Sequence, residues 1–403
     1  MLDFTWSLPT RIVFGVQALQ QLGEQTGRYG KNVFLVTGRS SSKKSGALDK
    51  VLHLLTQSGL EVVLFDRVEP NPRSTTVDAA AEILRENGSQ VVVALGGGSV
   101  MDAAKAIAAV ALSGRPIFDY MVGNPEALYR QLQPVEEALP VIAVPTLAAT
   151  GSETNGTAVI SHLEDGFGIK SSIHGPGLYP RVAIMDPKLT LTVSPQYTAD
   201  GCVDMFTHLY ERYLIHGQPY TGVQDHLTEG LIRAIVQYSE QVIHEPDNEQ
   251  ARANIMWAGS LALNGMIQAG MQRGFPVHAM EHPLSALFNL SHGRGLAILA
   301  PHYFRHTLSS AAPRLARLGR TVFGVTEVSD ASAAEQTIAR IEQWFERIGA
   351  MDSLSRHGVT RERLAWMAEQ AVCIGSQGKG FLPAPGGQSL HARDVLAIYE
   401  AAF

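Results

Sequence analysis

The chain has 403 residues, 45% of them hydrophobic and 17% charged, which is typical of a folded globular protein and excludes a disordered one. A formal net charge of −6 provides no positive field for a polyphosphate backbone, so we expect no nucleic-acid partner. Two cysteines cannot form a disulfide framework, which suits a reducing compartment. We recognise neither a signal peptide nor an uninterrupted apolar span of about 20 residues. We therefore expect a cytoplasmic protein without a membrane partner.

Short apolar runs alternate with helical segments along the first half of the chain. The runs are continuously apolar, which indicates strands covered on both faces, as in a parallel sheet. The predicted strands are residues 33–37, 61–65, 91–95, 141–144 and 182–185. The predicted helices between them are residues 46–58, 75–87 and 99–111. Residues 158–162 and 168–173 flank the turn signal Asp165-Gly166, which predicts a hairpin.

Helical periodicity dominates the second half, and from about Pro195 onward no strand is predicted. The predicted helices are residues 204–215, 223–244, 248–268, 334–348 and 360–371. A chain of this length is expected to form two domains. We therefore predict an α/β domain with a parallel sheet over residues 1–190 and an all-helical domain over residues 191–403.

A glycine-rich turn follows the third predicted strand, where Gly96-Gly97-Gly98-Ser99 leads into a helix with Asp102 and Lys105. Glycines let the backbone approach a pyrophosphate, and the start of a helix presents free N–H groups and the positive end of its dipole. The spacing matches neither the usual dinucleotide fingerprint nor a P-loop, so a tight turn without a ligand is the alternative. A second hydroxyl-rich loop, residues 144–153, favours cofactor binding, although alone it also fits a capped helix start.

Acidic and histidine side chains with helical spacing indicate a metal site. Asp204 and His208 lie four residues apart, so one helix face can direct both at one ion. His278, His282 and His292 follow in an otherwise apolar segment, where imidazoles without partners would be costly to bury. Two of these three would complete a nitrogen and oxygen ligand set for a catalytic divalent metal. Spacing leaves the choice open: His278 with His282 is the first guess, and one histidine could be an ordinary core residue.

Motifs along nearly the whole chain resemble the iron-containing, or group III, alcohol dehydrogenase family. In chain order they are LPTRIVFG, EPNP, GGGSVMDAAK, ATGSE, VDMFTHLYERY, HAMEHPLSA and SHGRG. Three further segments are most similar to the NADPH-dependent aldehyde reductase and butanol dehydrogenase branch, namely GRSSSKKSG, TLAATGSETN and ARANIMWAGSLALNG. The resemblance implies a dehydroquinate synthase-like α/β dinucleotide-binding domain, a helical metal-binding domain and a homodimer.

The resemblance also implies the roles of individual residues. It assigns one Fe²⁺ or Zn²⁺ to Asp204, His208, His278 and His292, which differs from the guess made from spacing. His282 is then implied as a catalytic residue beside the nicotinamide, for proton relay or cofactor positioning. The implied cofactor contacts are Asn71, Gly97, Gly98, Ser99, Asp102, Thr146, Thr150 and Lys170. Leu147 and Ala149 depart from the loop of the wider family, which puts contacts carried over from other branches in doubt.

The turn after the first predicted strand bears on the choice of cofactor. Family members that prefer NAD carry an aspartate here, which accepts from a ribose hydroxyl and repels a 2′-phosphate. Residues 37–44 contain no carboxylate but several cations and hydroxyls. We therefore predict that Gly38, Arg39, Ser40 and Ser41 contact NADP(H), with NAD(H) the less favoured cofactor. A solvated basic turn is the alternative.

Together these features predict a metal-dependent oxidoreductase that interconverts small aldehydes and primary alcohols by direct hydride transfer, in the direction of aldehyde reduction. The metal would polarise the substrate oxygen, and the nicotinamide would exchange hydride with the carbonyl carbon. The alternative is a carbon–oxygen lyase of the dehydroquinate synthase-like superfamily. Such a lyase needs a polar pocket for an acidic phosphorylated substrate, and the apolar residues 283–288 and Trp257 argue against it.

Overall fold

The computed structural model describes residues 2–121, 134–164, 167–216, 222–272 and 274–403. Two structural units divide the chain: Ser7–Val193, and Ser194–Phe403 together with the N-terminal segment up to Trp6. None of the described helices combines the length and the apolarity that a bilayer span requires.

A parallel sheet organises the first unit, and six strands form it within the described residues, in the order β1-β8-β5-β4-β2-β3. These strands are β1 (Arg11–Phe14), β2 (Asn32–Gly38), β3 (Glu61–Val68), β4 (Val91–Gly96), β5 (Val141–Pro145) and β8 (Val182–Met185). The predicted parallel sheet is therefore confirmed, and β1 is a strand that the sequence analysis missed. β1 has only four residues, half of them exposed, so it lacks the buried apolar run that identified the others.

Helices cover both faces of this sheet, which explains the continuously apolar strands. They are α1 (Leu22–Gly27), α2 (Ser41–Lys44), α3 (Ala47–Gln57), α4 (Ser74–Glu86) and α5 (Gly98–Ser113). Phe34 and Val92 pack into one core with side chains of α4 and α5. Val33 and Val91, their neighbours on the same strands, pack into a second core with side chains of α1 and α3. Alternate residues of one strand thus enter two cores.

The predicted hairpin is present as β6 (Thr157–Glu164) and β7 (Phe167–His174), which pair antiparallel with Ser161 opposite Lys170. The turn signal Asp165-Gly166 lies outside the described residues.

Helices make up most of the second unit. They are α6 (Pro195–Ile215), α7 (Val223–His244), α8 (Glu249–Leu263), α9 (Pro276–Phe288), α10 (His292–His306), α11 (Leu308–Val322), α12 (Asp330–Arg347), α13 (Arg361–Gly375) and α14 (Ala392–Ala401). The expectation of no strand after Pro195 was wrong, because β9 (Leu382–Pro383) pairs antiparallel with β10 (Ser389–Leu390). Two residues are too few to produce a strand period in the sequence.

Four helices in the second unit were not predicted: α9, α10, α11 and the C-terminal α14. The first three each contain a proline, which is read as a helix breaker in the sequence. Pro283 lies inside α9, Pro301 inside α10 and Pro313 inside α11. α6 also starts earlier than predicted, since the Ser194 hydroxyl accepts from the Tyr197 N–H at 3.3 Å and Pro195 occupies the first helical position.

Candidate metal and cofactor sites

Three helices of the second unit bring one carboxylate and three imidazoles together. Asp204 and His208 lie one turn apart on α6, His278 lies in the first turn of α9, and His292 is the first residue of α10. The Oδ1 atom of Asp204 is 3.6 Å from Nε2 of His208, 3.5 Å from Nε2 of His278 and 3.8 Å from Nε2 of His292. Asp204, His208 and His278 each offer a ligand atom within 4.8 Å of the others. The four residues named as ligands thus converge.

These side chains fit a divalent cation. Asp204 Oδ1 and His278 Nε2 are buried and have no hydrogen-bond partner among the described residues. Their separations from one another are too long for hydrogen bonds, and burying polar atoms without partners is costly. A cation bonded at about 2.0–2.2 Å to each atom would fit between them and satisfy them all. Oxygen and nitrogen donors without sulfur suit Fe²⁺ or Zn²⁺.

Glu211 fixes the orientation of His278. It lies one turn after His208 on α6 and is fully buried. One carboxylate oxygen pairs with Nδ1 of His278, and the other accepts from the backbone N–H of Val277 in the first turn of α9. With Nδ1 held in this way, Nε2 of His278 is directed towards Asp204. Carboxylates in this position fix the tautomer of a ligating histidine and increase its basicity.

Glu281 does the same for His292. This glutamate of α9 is fully buried, and its carboxylate pairs with Nδ1 of His292 and accepts from the Ser285 hydroxyl. Gly295 leaves room for it, since a Cβ there would lie 2.7 Å from Cγ of Glu281. In the described part of the chain, Nδ1 of His208 has no comparable partner.

The remaining residues of the SHGRG motif position the first turn of α10 against α6. A Cβ on Gly293 would lie 2.0 Å from the backbone oxygen of Asp200, so the two helices approach too closely for any other residue. Arg294 pairs with the Asp200 carboxylate at 2.8 Å, and both side chains are buried. The motif thus provides a ligand together with the glycines and the ion pair that place it.

Charges within the cluster shift the pKa values of its members. Burial alone would raise the pKa of Asp204, but the surrounding histidines outweigh it and lower that pKa well below its usual range. Burial lowers the pKa of His208 to about 3. Burial also opposes a charge on His278, but Glu211 outweighs it and raises that pKa to about 10. The shifted pKa values keep Asp204 ionised and His208 neutral near neutral pH, and these are the forms that coordinate a metal ion.

His282 lies beside this cluster. It is on α9, one turn after His278, and is half-buried. Its ring centroid lies 5.9 Å from that of His292. The three nitrogen atoms around Asp204 Oδ1 belong to His208, His278 and His292, so the geometry favours the ligand set implied by the resemblance over the pair guessed from spacing.

The glycine turn of the first unit forms a close-packed cradle. Gly97 precedes α5 in an extended conformation, and Gly98 begins the helix. The Thr146 N–H donates to the Gly96 carbonyl at 3.0 Å, which holds the second loop against the turn. A Cβ on Gly98 would lie 2.7 Å from the Thr150 side chain. The predicted contacts Gly97, Gly98, Ser99, Thr146 and Thr150 are therefore brought together beside the free N–H groups of a helix start.

We expect Gly98→Ala to weaken nicotinamide cofactor binding at least about tenfold, because the added methyl group displaces Thr150, a proposed cofactor contact, from its place beside the helix N-terminus. The dissociation constants of NADPH and NADH, measured by fluorescence titration, check this. Gly230→Ala on α7 is the matched control, since a Cβ there meets nothing within 4 Å. Unchanged cofactor affinity in Gly98→Ala would contradict the cradle.

Asp102 and Lys105 brace α5 from inside the protein. Asp102 accepts from the Ser152 hydroxyl at 2.5 Å and from the Val159 N–H at 2.9 Å. Lys105 donates to the carbonyls of Asn155 and Thr157 at 2.9 and 2.8 Å. Burial raises the pKa of Asp102 and lowers that of Lys105 to about 8. Both side chains hold the helix to the following loop and hairpin, and a cofactor contact of Asp102 stays a prediction.

Two other predicted contacts, Asn71 and Lys170, are hydrogen-bonded to each other. Lys170 of β7 is buried and donates to Oδ1 of Asn71 at 3.0 Å. Asn71 follows β3 in the left-handed region, with φ of 53°. This contact joins the EPNP loop to the hairpin.

Carboxylates of β3 and of the segment after it lie next to the basic turn that follows β2, and these pairs were not predicted from the sequence. Lys43 forms an ion pair with Asp66, and Arg39 lies 3.6 Å from Glu69. Ser42 is buried and bonded to Thr37, whereas Gly38, Ser40 and Ser41 lie at the turn itself. The local sequence could not reveal these pairs, because they join the turn and helix after β2 to β3 and the segment that follows it.

Comparison with known proteins shows the family to which the chain belongs. Residues 9–187 match the iron-containing alcohol dehydrogenase family, and residues 198–403 match the C-terminal region of the Fe-containing alcohol dehydrogenase family. NADH-dependent butanol dehydrogenase B of Clostridium acetobutylicum is 35% identical over 99% of both chains. NADPH-dependent aldehyde reductase YqhD of Escherichia coli is 35% identical over 89% of this chain and 90% of its own.

A solved structure is similar throughout. NADH-dependent butanol dehydrogenase A of Thermotoga maritima superposes with a TM-score of 0.91 at 32% identity, covering 100% of this chain and 99% of its own. The resemblance inferred from the motifs is confirmed. The chain therefore belongs to the iron-containing alcohol dehydrogenase family of nicotinamide- and metal-dependent alcohol and aldehyde oxidoreductases.

Proposed function

We propose that this chain is a metal-dependent, NADP(H)-linked oxidoreductase that interconverts small aldehydes and primary alcohols and works mainly as an aldehyde reductase. The observation that carries the proposal is the convergence of Asp204 Oδ1 with the Nε2 atoms of three histidines. A carboxylate and three imidazoles without thiolate ligands are typical of a catalytic metal site.

Asp204, His208, His278 and His292 would hold the metal, with Glu211 and Glu281 fixing two of the imidazoles. When bound, the metal polarises the substrate oxygen and the cofactor supplies the hydride. Reduction also requires a proton at that oxygen, and we assign this transfer to His282.

The cofactor contacts fall into two groups. Gly97, Gly98 and Ser99 would cradle the pyrophosphate, and Gly38, Arg39, Ser40 and Ser41 would contact the ribose and its 2′-phosphate. Asn71, Asp102, Thr146, Thr150 and Lys170 are proposed as further contacts. Relatives named for NADH and for NADPH are each 35% identical to this chain, over 99% and 89% of it, so the proposed preference for NADP(H) is based on the cations of the turn.

The test is to strip the protein of metal, add Fe²⁺ or Zn²⁺ anaerobically, and follow the loss of NADPH and NADH absorbance with butanal. We expect metal-dependent oxidation that is faster with NADPH. No turnover with either cofactor in a folded, metal-loaded protein would contradict the proposal and favour the lyase alternative. The homodimer and the cytoplasmic location stay predictions.

A further inference from the structure

The basic turn lies between the glycine cradle and a carboxylate-bearing strand. β2 pairs with β4 on one side and with β3 on the other, with Thr37 opposite Leu95 and Gly38 opposite Val68. In doubly wound sheets the pyrophosphate lies at the glycine turn, and the ribose is contacted from the end of the neighbouring strand. By this rule, residues 38–44 face the adenosine ribose, and the end of β3 flanks them.

Two carboxylates counter the cations of this turn. Asp66 pairs directly with Lys43, and this hydrogen bond holds the pKa of Asp66 below its usual value. Glu69 faces Arg39, but its other oxygen accepts from the Arg73 N–H and the Thr76 hydroxyl, both at 2.9 Å. Glu69 is therefore bound to the start of α4. Asp66 has a partly exposed side chain, and Lys43 is its direct partner.

We infer that Asp66 is a specificity-determining residue for the nicotinamide cofactor, because it holds Lys43 in an ion pair that competes with the 2′-phosphate of NADP(H). This inference depends on the proposed contact of the turn with the adenosine ribose. NAD(H) has no phosphate at this position, so its binding does not involve Lys43. Asp66 thus reduces the preference for NADP(H) over NAD(H) that the cations of the turn would otherwise give. Its negative charge also repels the 2′-phosphate.

The test compares Asp66→Asn with the parent protein by fluorescence titration of NADPH and NADH. This readout needs neither substrate nor turnover. We expect the dissociation constant of NADPH to fall roughly two- to fivefold, the range that exposed ion pairs reach, with NADH unchanged. The gain should shrink at high salt, because the Debye length falls to about 3 Å at 1 M.

Asp66→Asn could act by releasing Lys43 or by removing the repulsion between Asp66 and the 2′-phosphate, and Lys43→Met distinguishes these two effects. Alone it should weaken NADPH binding, and in its background Asp66→Asn should lose most of its effect. Glu24→Gln, which removes the carboxylate of the exposed pair with Arg28 on α1, is the matched control. An unchanged ratio of NADPH to NADH affinity in Asp66→Asn, or the full gain in the Lys43→Met background, would overturn the inference.

These outcomes are distinct from failure of the proposed function. A parent protein that binds both cofactors but does not reduce butanal would refute the proposed reaction and leave the selectivity test intact. A parent protein that binds neither cofactor would overturn both the proposed function and the inference about Asp66.

Discussion

His278→Ala is expected to abolish metal binding and hydride transfer while the protein remains folded. The imidazole contributes one of four converging ligand atoms, and it links Asp204 to Glu211. Loss of the partner of a ligating histidine already costs about 10- to 100-fold in metal affinity, so loss of the ligand itself should cost at least about 100-fold.

Metal content after dialysis, NADPH oxidation with butanal and a thermal melt together check this prediction. His278→Ala leaves Glu211 buried with one partner fewer, so some loss of stability is expected. His292→Ala provides a second variant, because its side chain is 24% exposed and its removal disturbs the core less. His244→Ala, at the exposed end of α7, is the control. Full activity in a metal-free His278→Ala protein would refute the metal-dependent mechanism.

Glu211→Ala is expected to reduce metal affinity about 10- to 100-fold although Glu211 is not one of the four proposed ligands. The variant releases Nδ1 of His278, so the imidazole loses both its fixed orientation and the charge that makes it a stronger ligand. It also leaves the Val277 N–H at the start of α9 without its acceptor. Metal titration against a competing chelator measures the first effect, and a thermal melt of the metal-free protein measures the second.

Glu211→Gln distinguishes a role of Glu211 in positioning His278 from a role in supporting the fold. The amide oxygen can still accept one hydrogen bond, so part of the stability and part of the metal affinity should return. The absorption spectrum of the Co²⁺-substituted protein reports the ligand geometry independently of activity. Glu240→Gln, which breaks an exposed pair with Arg347, should alter neither readout. Equal metal affinity in the parent and in Glu211→Ala would show that Glu211 supports the fold alone.

The elements that the sequence predicted well are those in which local pattern and tertiary environment agree. β4 is apolar at every position because both of its faces are buried, and α7 was predicted with its observed bounds. α9 and α10 contain prolines that local rules treat as breaks, and packing within the helical unit overrides those rules. The same segment carries half of the proposed ligands.

Spacing within a helix identified Asp204 and His208 but could not choose between His282 and His292. The choice depends on Asn289, which ends α9 in the left-handed region with φ of 51° and redirects the chain before α10. That turn returns His292 to the cluster. The orienting carboxylates were missed for a related reason, although Glu211 lies seven residues after Asp204 on the same helix face. Glutamates at that spacing are common on solvated helices, so only their burial reveals the role.

At the metal site, two of the three helices orient a ligand that lies on a later helix of the chain. α6 provides Glu211 for the histidine of α9, and α9 provides Glu281 for the histidine of α10. A slip of any one helix along its axis would misplace a ligand and its neighbour's support together, so the affinity for the ion reports the register of all three. Ligand binding of this kind stabilises the native state by about 2.7 kcal/mol at a hundredfold excess over the dissociation constant. The ion is then a thermodynamic link between catalysis and the integrity of the helical unit, and damage far from the substrate would first become visible as lost metal.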